Sequence, residues 1–367
     1  MPRRTQRVSA ESPCLCGGIE QEMRMVTAGM ENGVLSPEMV SEILREFGLK
    51  VFKIDVYRKI WRLQTPAGYK YLKRSKLTPG DVLFIHDALQ YLSRRNFNHV
   101  PRFALSQSGN PYVIHPTGLY ILTDWHFSYE LDFGVLTDLK EAARFMAEFH
   151  LAGQGFTPNH PSPARNAWFN WPGALKTRIT QLRNFRKMAQ NEKNTSPFSR
   201  LYDGFFDPFY RQAVACYQAL LRSPYQEVAQ WESRKKRLCH HDYSGRNLLR
   251  TFNNQLILVD FDYCLRDIRI HDLLNFMVRN LKHTDWNGES CRIILREYQQ
   301  VDRLAPEELE VLRILAHWPQ DFWQVGYQYY YEKLPWPMER FLKKLQRKIN
   351  SMLAREKFLK EFLPKEV

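Results

Sequence analysis

Cysteine is scarce in this chain, and long apolar runs are absent. Only six of the 367 residues are cysteine, and just two of these are close in sequence: Cys14, Cys16, Cys216, Cys239, Cys264 and Cys291. This disfavours a disulfide framework and is typical of a reducing compartment. No window approaches the roughly eighteen apolar residues of a membrane span, and no apolar segment follows the N-terminal arginines. The sequence therefore predicts a soluble, non-secreted, cytoplasmic protein.

Acidic residues are outnumbered by basic ones. The chain has 53 Lys and Arg against 39 Asp and Glu, a formal net charge of +14. A positive surface attracts polyphosphates, nucleic acids and acidic surfaces, and it repels polycationic ligands. Because no recognisable nucleic-acid-binding motif accompanies the charge, a nucleic acid is the least favoured of these partners.

The first third of the chain mixes helical and strand-like patterns. Residues 1–33 are polar and lack periodicity, which predicts a flexible extension. SPEMVSEILREFGL then predicts a helix capped by Ser36, and VFKIDVYRKIWRLQT and AGYKYLKRS predict antiparallel strands. A second helix capped by Thr78 and a further pair of short strands complete an α+β region over residues 34–126.

The rest of the chain is mainly helical. Residues 127–335 carry helical spacing, interrupted by a basic, Pro- and Asn-containing stretch at 153–200 that we interpret as a loop-rich insertion. Near the end of this region, WPQDFWQVGYQYYYEKL at residues 318–334 predicts an aromatic helix, for which packing in the core is favoured over a role as a wall on which a sugar stacks. Residues 336–367 predict a basic amphipathic C-terminal helix that packs on this region, with docking on an anionic partner as the alternative.

One polar stretch, HHDYSGRN, precedes two strand-like runs, 247–252 and 255–261. Asn253 and Asn254 join the runs, and asparagine tolerates the left-handed conformation of a tight hairpin turn. The hairpin would place Asn247, at the start of one strand, beside Asp260, at the end of the other.

This arrangement suits phosphoryl transfer from a nucleotide. One carboxylate must orient the acceptor hydroxyl and take its proton, while another carboxylate and an amide oxygen hold Mg²⁺ against the phosphates. Asp242 can fill the first role, and Asp260 and Asn247 the second. Alone, Asp242 could form an Asx turn and Asn247 a turn amide. Asp260, however, follows a buried-looking strand where an unpaired carboxylate would be costly.

His-x-Asp-x-x-x-x-Asn, a hairpin and Asp-Phe-Asp together resemble the aminoglycoside phosphotransferase and choline kinase branch of the protein-kinase-like fold. Within it the chain is most similar to the CotS family of spore-coat proteins, on IWRLQTPAGYKYLKR, YILTDWHFS, a helix ending AEFH, HHDYSGRNLL and VDFDYCLRDIRIHDLLNF. The likeness spans residues 34 to about 350. It implies a bilobal α+β fold with a small antiparallel-sheet N-lobe on the nucleotide side, residues 34–126, and a larger, mainly helical C-lobe, residues 127–335.

The resemblance also implies roles for residues of the catalytic loop. Asp242 would be the catalytic base, Asn247 and Asp260 the metal ligands, and Asp262 an additional carboxylate at the metal. His240 would brace the loop, with an ordinary satisfied histidine as the alternative.

Two neighbouring residues qualify this assignment. His241 stands where relatives often have glycine, so its side chain could alter the loop. Asp272 would cap a helix and tie down the loop, with a cap-only role favoured.

The nucleotide side matches the kinase pattern less fully. Lys73 is the expected strand lysine, with Lys70 as its rival. The following helix has no glutamate to pair with it, and offers only Asp87 or Gln90. Residues 50–68 contain no Gly-x-Gly-x-x-Gly loop.

The hinge between the lobes would run from Thr123 to His126, where the backbone of Asp124 and Trp125 could meet the adenine of ATP. The acceptor is not defined by the sequence, but a sugar or another hydroxylated small molecule is favoured over a polycationic aminoglycoside.

Two functions stay open. One is an ATP- and Mg²⁺-dependent phosphotransferase acting on a small-molecule hydroxyl. The other is a catalytically weak or inactive kinase-like scaffold, a hypothesis motivated by the missing glutamate and glycine loop. For either function, the resemblance implies the mother-cell cytoplasm and spore coat as location and other coat proteins as partners.

Overall fold

A computed structural model of the chain describes residues 35–57, 60–191, 196–284 and 286–361. The predicted N-terminal extension, residues 1–33, lies outside the described residues. Within the described ranges, no helix combines the length and the apolar character needed to cross a membrane.

The N-lobe is built on a five-stranded antiparallel sheet with the strand order β1-β2-β3-β5-β4. Its strands are β1 (Lys53–Tyr57), β2 (Ile60–Thr65), β3 (Gly68–Ser75), β4 (Val113–His115) and β5 (Gly118–Asp124), accompanied by helices α1 (Pro37–Glu46) and α2 (Pro79–Arg94). Both helices begin as predicted, because Ser36 accepts a hydrogen bond from the Met39 N–H and Thr78 forms a capping box with Asp81.

The two faces of this sheet serve different purposes. Leu72 in β3 is fully buried and belongs to a small core that includes Ile43 of α1 and Leu122 of β5. Because side chains alternate along a strand, the next residue, Lys73, points to the opposite face. Helix α2 packs mainly with the C-lobe, as in the contact of its Phe84 with Phe156, whose ring centroids are 5.3 Å apart.

The described part of the C-lobe is mainly helical. Its helices are α3 (Leu136–Ala152), α4 (Trp171–Asn191), α5 (Pro197–Gly204), α6 (Phe206–Arg222), α7 (Tyr225–Lys235), α8 (Ile270–His283), α9 (Glu289–Gln299), α10 (Pro306–Ala316), α11 (Gln320–Tyr330), α12 (Met338–Asn350) and α13 (Met352–Glu361). Five short strands complete it: β6 (Ser128–Glu130), β7 (Leu238–Cys239), β8 (Leu248–Thr251), β9 (Leu256–Leu258) and β10 (Leu265–Arg266). They form a β6-β8-β9 sheet and a β7-β10 pair.

The loop-rich interpretation of residues 153–200 is wrong for about half of its length, whereas residues 153–170 are turns and irregular segments with one short 3₁₀ helix, Pro163–Arg165. Helix α4 fills 21 of these positions, and α5 begins at Pro197. Leu175, Leu182 and Phe185 form the buried face of α4. The many basic residues on its other faces obscured this helical spacing, since a solvated face carries no periodic apolar signal.

Two C-terminal predictions can be compared with the structure. Phe322 of the aromatic helix α11 is buried and stacks on Tyr202 and Phe209, with centroid distances of 4.3 and 4.2 Å, so it packs in the core. The C-terminal segment forms two helices rather than one, interrupted at Ser351. Leu345 in the first of these helices is buried, whereas Leu353 beyond the interruption is 73% exposed, so the predicted packing does not extend over the whole segment.

Candidate active site

The predicted hairpin brings Asn247 beside the loop that carries Asp260. Strands β8 and β9 pair antiparallel around a turn in which Asn254 has a φ of 59°, a left-handed value that asparagine tolerates. The Val259 N–H donates to the Asn247 carbonyl over 2.8 Å, so the two strand ends lie side by side. Asp260 follows with a φ of 62° and opens a 3₁₀ turn over Phe261–Tyr263.

His240 braces the loop between the hairpin and Asp242. Its ring is fully buried, with Nε2 3.0 Å from the Val259 carbonyl and Nδ1 3.2 Å from the Asp242 amide nitrogen. Burial lowers the pKa of His240, so the imidazole is neutral, with Nε2–H donating and Nδ1 accepting. Both ring nitrogens are thereby satisfied.

Asp272 holds the same loop from the opposite side. This buried carboxylate accepts hydrogen bonds from the His240 amide over 2.6 Å and the His241 amide over 2.8 Å. Burial alone would raise its pKa, but contacts with His150 and His271 outweigh that effect and hold the pKa well below its ordinary value. The favoured cap-only role is wrong, because Asp272 lies in the first turn of α8 and binds loop amides instead.

His241 occupies a left-handed backbone conformation, with a φ of 64°. Glycine adopts this conformation with the least strain, which gives a physical reason for glycine at this point of related loops. Here the side chain contacts Asp267, with Nε2 and Oδ2 3.1 Å apart, and stacks on His271 at a centroid distance of 4.0 Å. Burial lowers the pKa of His241, but Asp267 outweighs it and the pKa is raised.

Glycine is sterically required at Gly245 in the same loop. A Cβ atom there would lie 2.8 Å from the Leu131 carbonyl oxygen, which is backbone and cannot move freely. This approach lets the loop pack against the segment after β6, where the Leu131 N–H donates to the Leu248 carbonyl.

Both carboxylate oxygens of Asp242 are engaged. Asn247 Nδ2 donates to Asp242 Oδ2 over 2.8 Å and to its carbonyl over 2.9 Å. Oδ1 accepts from Arg279 of α8, at 2.5 Å. Sequence reasoning missed Arg279, because a single basic residue on a polar helix face carries no signal of its own.

Lys73, and not Lys70, faces the carboxylates after the hairpin. Its Nζ lies 2.9 Å from Asp260 Oδ1 and 2.8 Å from Asp262 Oδ2, whereas Lys70 pairs with Asp124 over 2.7 Å. Burial lowers the pKa of the Lys73 amine, but the two carboxylates outweigh this and raise it above its ordinary value. The structure thus brings Lys73, Asp260 and Asp262 together across the cleft between the lobes.

The structure does not bring Asp87 or Gln90 to Lys73. Asp87 accepts a hydrogen bond from the His160 amide over 2.8 Å, and Gln90 is exposed. The sequence contains no local pattern that fixes where Asp87 and Gln90 lie relative to β3. In the structure, α2 packs on the C-lobe, and this orientation directs Asp87 away from Lys73.

Helix α2 instead reaches the 260–262 segment through Arg165. Asp81, in its first turn, pairs with Arg165 Nε over 2.8 Å. The same guanidinium donates to the Asp262 carbonyl over 3.1 Å and to the Cys264 carbonyl over 2.6 Å. The sequence analysis assigned neither Asp81 nor Arg165 to the site. Arg165 lies in the stretch that was interpreted as a loop, and without it Asp81 has no visible connection to the 260–262 segment.

One backbone N–H group of the predicted hinge, residues Thr123 to His126, is hydrogen-bonded within the N-lobe sheet. The Trp125 N–H donates to the Tyr69 carbonyl over 2.9 Å, which extends the β3–β5 pairing past Asp124. That N–H is therefore not open to adenine, and a hinge contact with the nucleotide stays a prediction for the other backbone atoms between Thr123 and His126.

The donor set fits a hard divalent cation. The Asp260 and Asp262 side chains, 41% and 28% exposed, already converge on the single positive charge of Lys73. Because Asn247 Nδ2 is bonded to Asp242, its Oδ1 is the amide atom left for a cation. Carboxylate and amide oxygens are ligands that Mg²⁺ accepts in proteins.

The bilobal fold, the braced loop and the lysine opposite two carboxylates define a protein of the kinase-like class. An aminoglycoside phosphotransferase from Alicyclobacillus acidocaldarius superposes with a TM-score of 0.76 at 20% identity, over 90% of this chain and 96% of that one. An AMP-bound spectinomycin phosphotransferase, APH(9)-Ia, gives 0.59 at 11% identity, covering 89% and 99%. The amicoumacin kinase hAmiN, in complex with AMP-PNP and Ca²⁺, gives 0.54 at 14% identity, covering 88% and 94%. These likenesses confirm the predicted fold.

Residues 42–362 match the family described as "Spore coat putative kinase YutH", and the chain belongs to this family. Spore coat protein S of Bacillus subtilis (strain 168) is 24% identical over 332 residues, which cover 88% of this chain and 93% of that protein. The predicted likeness to the CotS family of spore-coat proteins is thereby confirmed.

Proposed function

We propose that this member of the spore coat kinase family is an ATP- and Mg²⁺-dependent phosphotransferase that acts on a hydroxyl group of a small, sugar-like molecule. The observation that carries the proposal is the pairing of a rigidly held Asp242–Asn247 loop with Lys73, Asp260 and Asp262 across one cleft. The family and its relative further support a location in the spore coat. We also propose that the protein is made in the mother-cell cytoplasm and that its partners include other coat proteins.

Asp242 is the residue that would act on the acceptor. Its carboxylate would orient the acceptor hydroxyl by accepting its hydrogen bond, and it would take the proton as the hydroxyl oxygen bonds to the γ-phosphorus of ATP and the bond from that phosphorus to the β–γ bridging oxygen breaks, which releases ADP. Positioning is most of what this reaction requires of the protein. The hydrogen bonds of Asp272 and His240 to the loop supply that positioning.

Asn247, Asp260 and Asp262 would hold Mg²⁺, and Lys73 would bind the nucleotide phosphates. When bound, the metal neutralises charge on the phosphate oxygens. The Lys73 amine pairs with Asp260 and Asp262 in the structure, and it would be available to the phosphates if Mg²⁺ replaced it at these carboxylates. Two relatives of the same fold were solved with AMP and with AMP-PNP and Ca²⁺, which supports a nucleotide site here.

A kinase-like scaffold without turnover is the second candidate. The observation that favours it is that the site neutralises its own charges. Arg279 and Asn247 take both oxygens of Asp242, and Lys73 is paired with both metal-site carboxylates.

Nucleotide binding separates these two functions. We expect ATP with Mg²⁺ to raise the melting temperature, by the equivalent of about 2.7 kcal/mol at a hundredfold excess over Kd. K73M should remove most of this shift, whereas Lys76→Met, at an exposed position just beyond the same strand, should retain it. Absence of any shift in the native protein would favour the scaffold.

Turnover tests the base. A panel of hydroxylated metabolites should reveal acceptor-dependent consumption of Mg-ATP, and D242N should lower kcat by about 10²- to 10⁴-fold with its nucleotide shift retained. An unchanged rate in D242N would show that Asp242 is not the base.

A further inference from the structure

The C-lobe contains a cavity of about 490 Å³ that reaches the catalytic loop. Its walls come from α4, α8, α11, α12 and α13, and they include His241 and Arg279. The Arg279 guanidinium is bonded to Asp242, so the proposed catalytic base, which does not itself line the cavity, is the direct partner of a residue that does. The inference below rests on the proposed function and concerns the acceptor that this cavity would bind.

The cavity is strongly cationic. Among its described lining residues a single carboxylate, Asp321, faces five cationic side chains: Arg178, Arg279, Lys282, Lys348 and Arg355. Asp321 is shared between Lys282, at 2.8 Å, and Lys348, at 3.1 Å. Two histidines, His241 and His271, also line the wall.

Two of these cations have no carboxylate partner in the described part of the chain. Arg178 donates to the neutral Gln320 side chain over 3.1 Å and lies over the Trp323 ring, 4.6 Å from its centroid. Arg355 donates to the carbonyls of Ala316 and Trp318, over 2.7 and 3.0 Å. Neither forms an ion pair with any described residue. Asp321 acts on Arg355 from a distance, but it already pairs with two lysines, and the nearest groups to the two guanidinium ions are carbonyls, a neutral amide and aromatic rings.

Cations held in this way are costly without a counter-charge. Both side chains lie partly buried on the cavity wall, and this burial lowers the pKa of Arg355 to about 10 and also lowers that of Arg178. A bound anion would regain that lost solvation, whereas a polycation would add to the repulsion. Trp171 and Trp318 also line the cavity and give its wall an apolar component of the kind that small-molecule sites have.

We propose that the acceptor is an anionic hydroxylated compound, a sugar or polyol bearing a phosphate or carboxylate group, and that Arg178 and Arg355 bind its anionic group. Its hydroxyl would lie at Asp242. The anionic group also gives Arg279 an alternative partner, which frees Oδ1 of Asp242 for that hydroxyl. Aminoglycosides, which carry several ammonium groups, are excluded as acceptors by the same charges.

Direct titration without nucleotide tests this proposal independently of catalysis. Glucose 6-phosphate, glucuronate, glucose and glucosamine are all pyranoses that differ chiefly in charge, and their binding can be compared by calorimetry. We expect one or both anionic compounds to bind at least about tenfold more tightly than glucose and glucosamine. Binding of only the phosphate or only the carboxylate would identify which group the arginines accept. Glucosamine binding as tightly as the anions, or no anion binding at all, would overturn the proposal.

Variants locate the binding. Arg178→Gln should weaken anion binding by about tenfold, and Arg178→Lys, which keeps the charge, should recover part of it. Lys343→Gln, at an exposed position of α12 away from the cavity lining, removes the same charge and should leave binding unchanged. Equal affinities in Arg178→Gln and the native protein would contradict the site. If the native protein binds the anions but its melting temperature does not rise with Mg-ATP, the result would count against the proposed function alone.

Discussion

The catalytic loop and the nucleotide side of the cleft are held in place differently. The loop is fixed by buried groups of its own lobe: Asp272 binds two of its amides, His240 connects it to the hairpin, and the Tyr243 hydroxyl donates to the Ala142 carbonyl over 2.7 Å. Lys73, by contrast, sits on an N-lobe strand and finds both partners in the other lobe.

This difference indicates which part of the site depends on a ligand. Buried, satisfied hydrogen bonds persist whether or not a substrate is present, so the loop is preorganised. The charges across the cleft are partly exposed, and a metal or a nucleotide competes directly for them. The conformation of the loop is therefore fixed by the protein itself, whereas the contacts of Lys73 can be exchanged for contacts with a ligand.

Asp272→Ala should have the largest effect on stability. It leaves two buried loop amides without an acceptor and removes a paired charge, so we expect a loss of about 3–5 kcal/mol in the free energy of unfolding. Urea denaturation measures the change. Asp207→Ala, which removes a largely exposed partner of Arg186, is the control and should cost less than about 1 kcal/mol. Similar losses in both variants would mean that the loop is not fixed as described.

Arg165→Gln should have an intermediate effect on stability. It tests whether the nucleotide side of the cleft also depends on buried hydrogen bonds, as the loop does. It breaks the connection from Asp81 to the Asp262 and Cys264 carbonyls, which should cost about 1–3 kcal/mol of stability and also reduce the Mg-ATP shift in melting temperature. Arg186→Gln, which loses ion pairs to Asp203 and Asp207 on the helical lobe, is the control. A nucleotide shift unchanged in Arg165→Gln would show that α2 and the metal segment are independent.

The smallest expected effect is a pH dependence of the free energy of unfolding that arises from His240 in the loop. Burial lowers the pKa of His240 in the native state, so below its ordinary pKa of about 6.5 the unfolded chain binds a proton that the native chain does not. Stability should therefore fall on acidification, with His240 contributing at most about 1.4 kcal/mol per pH unit.

His240→Asn isolates this contribution. His241 has a raised pKa and acts in the opposite direction, so the measurement compares the slopes of stability against pH from 7 to 5 in the two proteins. The variant should have the shallower slope. Equal slopes would mean that His240 is not held neutral in the loop.

The sequence pattern over a few residues was sufficient to predict those elements that are determined by neighbouring residues alone. The Ser36 and Thr78 caps, the hairpin around Asn254 and the placement of Asn247 beside Asp260 follow from turn chemistry and strand alternation over a few residues. Helix α4 was missed although its signal is also local, because basic residues on its exposed faces hid the apolar period.

The sequence by itself determined which residues are candidates for the chemistry: the loop with Asp242 and Asn247, and the carboxylates after the hairpin. Only the tertiary structure decided what each of them touches. The partners of Lys73 lie 187 and 189 positions away, and Arg165 and Asp81 are 84 apart. Such contacts depend on how whole lobes pack and on which charges are buried together, and neither burial nor charge pairing over that separation is written in local spacing.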